Sequence, residues 1–254
     1  MSEALPTAEA TPASASSVEP AAPVFAERLT APVVRDALVL GVVPLALAGV
    51  AGMLGATTTG YALMVLTAFV AFFFRNPRRE IAGDERTVVA PADGRVLEVG
   101  EIERPDGSKA LRIGIFLSVF NVHVNRCPVA GRVVAIERGG SRYRAAFDRR
   151  AESDNVRCTM TLKTALGERV DVSQITGLIA RRIVCHPSPG EWVPRGSRFG
   201  LIRFGSRTDV VLPPASEALV VRGDRVRGGS SALARLPEPA ATGLSESAAT
   251  GGRS

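Results

Sequence analysis

Leu111-Arg112-Ile113-Gly114-Ile115-Phe116-Leu117 is a short run of the Val/Ile/Leu type set between turn formers, which is how a strand reads. Val96-Leu97-Glu98-Val99, Val133-Val134-Ala135-Ile136 and Asp209-Val210-Val211-Leu212 repeat the pattern on either side of it. From Val88 to about Val226 such runs alternate with Gly and Pro, which predicts a compact β-rich domain. Gln174 to Cys185 is apolar with Arg181-Arg182 inside it and fits a strand or a short helix equally.

Within this domain, Pro91-Ala92-Asp93-Gly94-Arg95-Val96 is echoed by Pro128-Val129-Ala130-Gly131-Arg132-Val133. Each puts a Pro-x-x-Gly turn before a β-branched run, so each predicts a strand entered from a tight turn. Biotinyl- and lipoyl-carrier domains, which are barrel-like sandwiches, use similar phrases. The attachment turns Met-Lys-Met and Asp-Lys-Ala are absent, and Lys109 and Lys163 stand in other contexts, so the likeness extends to architecture alone. The expected fold is mainly β, α+β at its margins: a barrel-sandwich-like β domain over residues 75–227, preceded by a hydrophobic helical hairpin.

That hairpin is read from Ala37 to Phe74, an apolar stretch without a charge. Gly55-Ala56-Thr57-Thr58-Thr59-Gly60 divides it into arms of ~28 Å and ~22 Å at 1.5 Å per helical residue. A membrane span takes ~20 residues, so the second arm qualifies only with Thr57 to Thr59 included. Arg35 at one outer end and Arg75, Arg78 and Arg79 at the other predict that residues 28–74 enter a membrane with both termini on the cytoplasmic face. A buried helical pair and a shallow, non-spanning hairpin are the alternatives. Residues 1–27, rich in Ala, Ser, Pro, Thr and Glu, read as a disordered leader and not as a secretory signal. Residues 228–254 read as a disordered tail.

Positive charge is concentrated in the β-rich body: 27 Lys+Arg against 18 Asp+Glu between Arg75 and Arg227, net +9. Beside an apolar segment this points to an anionic membrane surface. Nucleic acid is disfavoured, because aromatic residues are 5% of the chain and no binding motif is present. Cys127, Cys158 and Cys185 are odd in number and widely spaced, fitting neither a disulfide framework nor a metal site; they read as ordinary thiols of a reducing compartment.

The chain has two histidines. His123 lies in Phe116-Leu117-Ser118-Val119-Phe120-Asn121-Val122-His123-Val124-Asn125-Arg126-Cys127-Pro128. If that run is extended, Asn121, His123 and Asn125 share a face opposite Val122 and Val124, as in the wall of a site. A hydrogen-bonded structural histidine is the plainer reading. His186 precedes Pro187-Ser188-Pro189-Gly190 and reads as a loop residue. Two isolated histidines make a metal site unexpected. Taken alone, Asp93 before Gly94 is a turn residue, and Gly205-Ser206 an ordinary loop dipeptide; no G-x-S-x-G elbow supports a hydrolase.

Taken in order, these segments carry more. Phe72-Phe73-Phe74-Arg75-Asn76-Pro77-Arg78-Arg79, Val89-Ala90-Pro91-Ala92-Asp93-Gly94, the Phe116–Pro128 run, Gly177-Leu178-Ile179-Ala180-Arg181-Arg182-Ile183 and Arg198-Phe199-Gly200-Leu201-Ile202-Arg203-Phe204-Gly205-Ser206-Arg207 resemble the phosphatidylserine decarboxylases, specifically their shorter bacterial and archaeal class. The last block is the most specific.

The resemblance implies a proenzyme that cleaves its own Gly205–Ser206 bond and converts Ser206 into a covalent pyruvoyl group, the electron sink for decarboxylating phosphatidylserine to phosphatidylethanolamine. It implies Ser206, His123 and Asp93 as catalytic residues, with Asp93 orienting His123, and no metal. It further implies α and β chains that stay associated, with higher oligomers compatible, at the cytoplasmic face of the cell membrane. Arg75, Arg78, Arg79, Arg181 and Arg182 are candidate ligands for the lipid phosphate. Longer members carry His-x-x-His where this chain has His123 and Arg126, so His123 serves both steps or Arg126 takes an electrostatic share. The alternatives are a pyruvoyl decarboxylase of another amino-acid substrate, or a non-catalytic membrane-tethered β-sandwich binding module.

Overall fold

A computed structural model describes residues 30–238 except 105, 149, 179–181 and 203–205, with side chains from Leu40 onward and residue 152 excepted. Its centre is an eight-stranded antiparallel sheet formed by β2 (Gly94–Glu103), β3 (Lys109–Leu117), β5 (Gly131–Gly139), β6 (Arg157–Lys163), β7 (Arg169–Thr176), β9 (Trp192–Val193), β11 (Ser206–Leu212) and β13 (Arg225–Val226). The strand order is β13-β2-β3-β11-β7-β6-β5-β9. Two three-stranded sheets accompany it. One joins β1 (Thr87–Val89), β14 (Ala232–Arg235) and β12 (Glu217–Ala218); the other joins β4 (Val124–Arg126), β10 (Arg198–Ile202) and β8 (Ile183–Cys185). A short helix, α3 (Ala151–Asp154), lies between β5 and β6. The expected mainly β half-barrel sandwich is the observed fold.

The internal repeat of the sequence is an internal pseudo-symmetry of the large sheet. β2 pairs with β3 through a register shift at Val96/Glu98, and β5 with β6 through one at Val133/Ala135. Arg225 sits opposite Arg95 as Trp192 sits opposite Arg132. The repeated glycines have the same task. A Cβ on Gly94 would stand 2.2 Å from the Phe116 carbonyl oxygen, and one on Gly131 2.8 Å from that of Lys163. Each Pro-x-x-Gly turn thus delivers a strand start against a neighbouring backbone where no side chain fits.

Ile113, Ile115, Leu117, Met160, Leu162, Phe199, Leu212 and Leu233 are buried completely or nearly so in one core. Each such side chain contributes ~1.5–3 kcal/mol relative to exposure. Leu233, Ala234 and Leu236 in that core correct the expected tail: the ordered domain runs on past residue 227, and β14 pairs with both β1 and β12. An Ala-rich strand of four residues has little β-branched content to mark it out locally. The leader, residues 1–27, and residues 239–254 lie outside the described residues. Gln174 to Cys185 holds the end of β7 and all of β8.

Ahead of the sheets, α1 (Thr30–Met53) and α2 (Thr57–Phe73) form the expected hairpin, with Thr57 to Thr59 inside the second helix. The helices meet over small residues: a Cβ on Gly60 would lie 3.5 Å from the Ala48 carbonyl oxygen and 3.9 Å from the Gly52 nitrogen. Val43, Leu45, Leu47, Met53, Tyr61, Met64 and Val65 are exposed, an apolar surface far larger than a free-standing domain carries. Among the described residues no helix is long and apolar enough to cross a membrane. The end of α2 is anchored differently, since Phe73 and the following Phe74 are buried against Val122, Val124 and Leu201.

Candidate active site

The inner face of the large sheet changes character along its strands. The paired positions Leu212, Leu111, Val210, Ile113 and Val172 are apolar; further along, Thr208 faces Gln174, and Ser206 faces Thr176 and Leu117. All four polar residues are fully buried. Gln174 Nε2 donates to Asn125 Oδ1 of β4 at 2.7 Å, which ties the small sheet to this polar end. Two buried polar atoms here have no hydrogen-bond partner among the described residues, Gln174 Oε1 and the Oγ of Ser206, the first residue of β11; Gln174 still donates through Nε2, whereas the Ser206 side chain makes no hydrogen bond there. Leaving a buried hydroxyl unpaired costs ~1–3 kcal/mol, so a fold that tolerates it keeps the hydroxyl available for something else.

His123 stands immediately before β4 and is fully buried. Its ring packs on Phe73 at the end of α2, with centroids 4.3 Å apart. Nδ1 lies 2.9 Å from the Asn121 carbonyl oxygen. A carbonyl can only accept, so Nδ1 carries the proton and Nε2 presents the lone pair of a base. Burial, with a smaller contribution from the Arg75 guanidinium, lowers the imidazole pKa to about 4, and it is neutral at physiological pH. Its carbonyl accepts from Ile202 N–H at 3.3 Å. The chain from Ile202 to Ser206 spans at most ~14 Å when fully extended, so histidine and serine belong to one neighbourhood. Gly205, between them, lies outside the described residues, as does Arg181.

The neutral histidine makes stability depend on pH in a definite direction. Its folded pKa is below the unfolded one, so between pH 6.5 and about 4 the unfolded chain binds a proton that the folded chain refuses. Stability therefore falls as pH drops through that window, by up to ~3 kcal/mol from this group. Urea unfolding at pH 7 and pH 4.5, in a Ser206→Ala background to keep the chain covalently uniform, should show a smaller loss for His123→Gln than for the parent. Equal losses would refute this account of the buried imidazole.

The expectation that Asp93 orients His123 is corrected by the geometry. Arg79 donates to both Asp93 carboxylate oxygens, at 3.0 and 2.7 Å, and the Gly228 N–H to Oδ1 at 2.8 Å. Histidine orientation falls instead to the Asn121 carbonyl, because Asn121 belongs to a turn in which its Oδ1 accepts from the Ser118 N–H and hydroxyl. The Phe116–Pro128 run is therefore strand at Phe116–Leu117, the end of β3, and at Val124–Arg126, with the turn between them, and the shared face expected for Asn121, His123 and Asn125 does not form. Arg126 has a mechanical task. It donates to Asn76 Oδ1, the Pro77 carbonyl and the Gly196 carbonyl at 3.0–3.1 Å, fastening the connector between α2 and the sheets.

Among the candidate phosphate ligands, Arg75 lies over the Phe72 ring at 3.7 Å and donates to the Phe120 carbonyl. Arg79 is committed to Asp93, while Arg78 and Arg182 are exposed. Sequence reasoning missed a cleft of about 860 Å³ beside this site, whose lining includes Asp93, Ser118, Asn121, Arg95, Arg225 and Arg227. It also missed that Cys158 and Cys185 share a thiol hydrogen bond, which lowers the Cys158 pKa to about 7 and raises that of Cys185. His186 is half-buried, with its backbone N–H bonded to the Phe199 carbonyl.

The family model described as phosphatidylserine decarboxylase matches residues 66–234. A phosphatidylserine decarboxylase proenzyme of Pelobacter propionicus is 50% identical over 173 residues, 68% of this chain and 79% of its own. One of Symbiobacterium thermophilum is 50% identical over 187 residues, 73% of this chain and 85% of its own. One of Geobacter sulfurreducens is 44% identical over 201 residues, 78% of this chain and 92% of its own.

Proposed function

The chain belongs to the phosphatidylserine decarboxylase family, and from that premise we propose that Ser206 is the source of a pyruvoyl group that serves decarboxylation of phosphatidylserine to phosphatidylethanolamine. The observation that carries this reading is the buried Ser206 hydroxyl at the start of β11, which has no hydrogen-bond partner among the described residues. His123 Nε2, unprotonated because Nδ1 is committed to Asn121, takes the hydroxyl proton and makes Oγ a competent nucleophile. Oγ attacks the Gly205 carbonyl carbon, the peptide C–N bond breaks, and an ester joins the two residues. Loss of the Ser206 α-proton expels the Gly205 carboxylate; one water then enters and ammonia leaves. When present, the pyruvoyl carbonyl engages the substrate amine and withdraws electrons as carbon dioxide departs. His123 Nε2 takes up the proton that the substrate ammonium loses as its nitrogen engages the carbonyl and returns it to the substrate α-carbon, while Phe73 packs on the imidazole.

Asp93 acts as a positioning residue in this reading. Its bonds to Arg79 and Gly228 fix the turn that leads into β2, one strand beyond β3 and the serine's partner Leu117. The two products of cleavage stay together because β11 lies between β3 and β7, and β13 and β14 also belong to the carboxyl-terminal piece. The exposed apolar hairpin and the basic body fit the cytoplasmic face of an anionic cell membrane.

Mass spectrometry of the purified protein tests the core of the proposal. The expected result is two fragments, the second beginning at residue 206 and lacking a free amino terminus. An intact chain, in a preparation that nevertheless decarboxylates phosphatidylserine, would overturn it.

A further inference from the structure

We propose that the cleft beside the site is a phosphate-binding subsite for the lipid headgroup, built on Arg95, Arg225 and Arg227; this rests on the reading of the chain as a phosphatidylserine decarboxylase. The three arginines come from β2, β13 and the residue after β13, and all three are exposed. Among the described residues, Arg95 uses only Nε, on the Gly223 carbonyl, and the guanidiniums of Arg225 and Arg227 have no protein partner. The one carboxylate in the lining, Asp93, is already neutralised by Arg79. Positive charge is thus unspent here, beside the hydroxyls of Ser230 and Ser231. Planar guanidinium forks with hydroxyl donors match the oxygens of a phosphodiester.

The pseudo-symmetry supplies an internal control. In the other half of the sheet the positions equivalent to Asp93, Ser118, Arg225 and Arg227 are Ala130, Ala165, Trp192 and Pro194, by the matching registers and glycine contacts. The depression there has Ala130, Ala165, Leu166 and Trp192 in its lining. Arg132 matches Arg95, and Glu85 and Arg195 share that lining, but the counterparts of Arg225 and Arg227 are uncharged, so the fold does not require this pair of cations.

Position supports the assignment. Gly94, next to Asp93, begins the strand two places from β11, which puts it ~10 Å from Ser206 at the usual strand spacing. On the other side, the Ser118–Asn121 turn carries the exposed Phe120, whose carbonyl is held by Arg75 at the end of the apolar hairpin. A lipid whose chains lie along the hairpin presents its phosphate at the cleft.

The test compares the purified full-length protein with its Arg225→Ala/Arg227→Ala double variant. Calorimetric titration with water-soluble glycerophosphoserine should show binding that weakens at least tenfold in the variant and falls with added salt. In the same preparations KM for dispersed short-chain phosphatidylserine should rise at least tenfold, and self-cleavage reports whether the fold is intact. Binding unchanged within twofold would overturn the subsite, as would inorganic phosphate binding as tightly as glycerophosphoserine, which would make the cleft a site for free phosphate. Protein that binds glycerophosphoserine through these arginines but does not decarboxylate phosphatidylserine would leave the subsite standing and refute the enzymatic reading instead.

Discussion

Ser206→Ala should leave the chain whole at 26.7 kDa and without decarboxylase activity. Removing Oγ takes away both the nucleophile for cleavage and the atom through which the α-carbon becomes a ketone, so no partial route remains. The loss should exceed 10⁴-fold, the scale of a removed covalent catalyst that nothing replaces. Folding is expected to survive and even to gain. The hydroxyl is a buried polar atom without a partner among the described residues, and replacing it by hydrogen relieves a desolvation penalty of ~1–3 kcal/mol. An intact, more stable and inactive protein is therefore the expected combination, read by electrophoresis, thermal unfolding and lipid turnover. An inactive variant that is also severely destabilised would mean that Ser206 serves packing.

His123→Gln should slow self-cleavage by 10²- to 10⁴-fold, the usual contribution of a positioned general base. Glutamine retains a donor for the Asn121 carbonyl and approximates the volume packed on Phe73, so the fold is kept while the basic lone pair is lost. The time course of uncleaved chain after synthesis reads the effect. Processing at the parent rate would remove His123 from the cleavage step and leave it at most a role in proton return during decarboxylation. An effect of this size would also assign the burden that the departure at Arg126 leaves open. Arg126 is bonded to the connector at Asn76 and Pro77, and its guanidinium does not exchange protons near neutrality.

Much of this was legible in consecutive residues, because strands, turns and apolar helices are short-range properties. The repeated Pro-x-x-Gly phrases foretold two equivalent strand entries, and both appear with a carbonyl standing where a Cβ would go. The hairpin was legible from its uninterrupted apolar run, and Ser206 and His123 from the ordered motif blocks. What failed to read through were relations between distant segments. Asp93 looked like a partner for His123, yet its charge is taken by Arg79 from the connector. Arg225 and Arg227 carry no local signal, because what makes them part of a cleft is the pairing of β13 with β2, some 130 residues earlier.

The amino-acid order by itself determined a β-rich body built on a repeated turn-and-strand unit and an apolar hairpin before it, and it singled out the few residues proposed for the chemistry. Only the tertiary structure decided their condition. Phe73 at the end of α2 buries His123, the Asn121 carbonyl selects its tautomer, and the β3–β11–β7 pairing encloses the Ser206 hydroxyl. Protonation and solvation depend on what surrounds an atom in space, and those surroundings are drawn from parts of the chain that no local pattern connects.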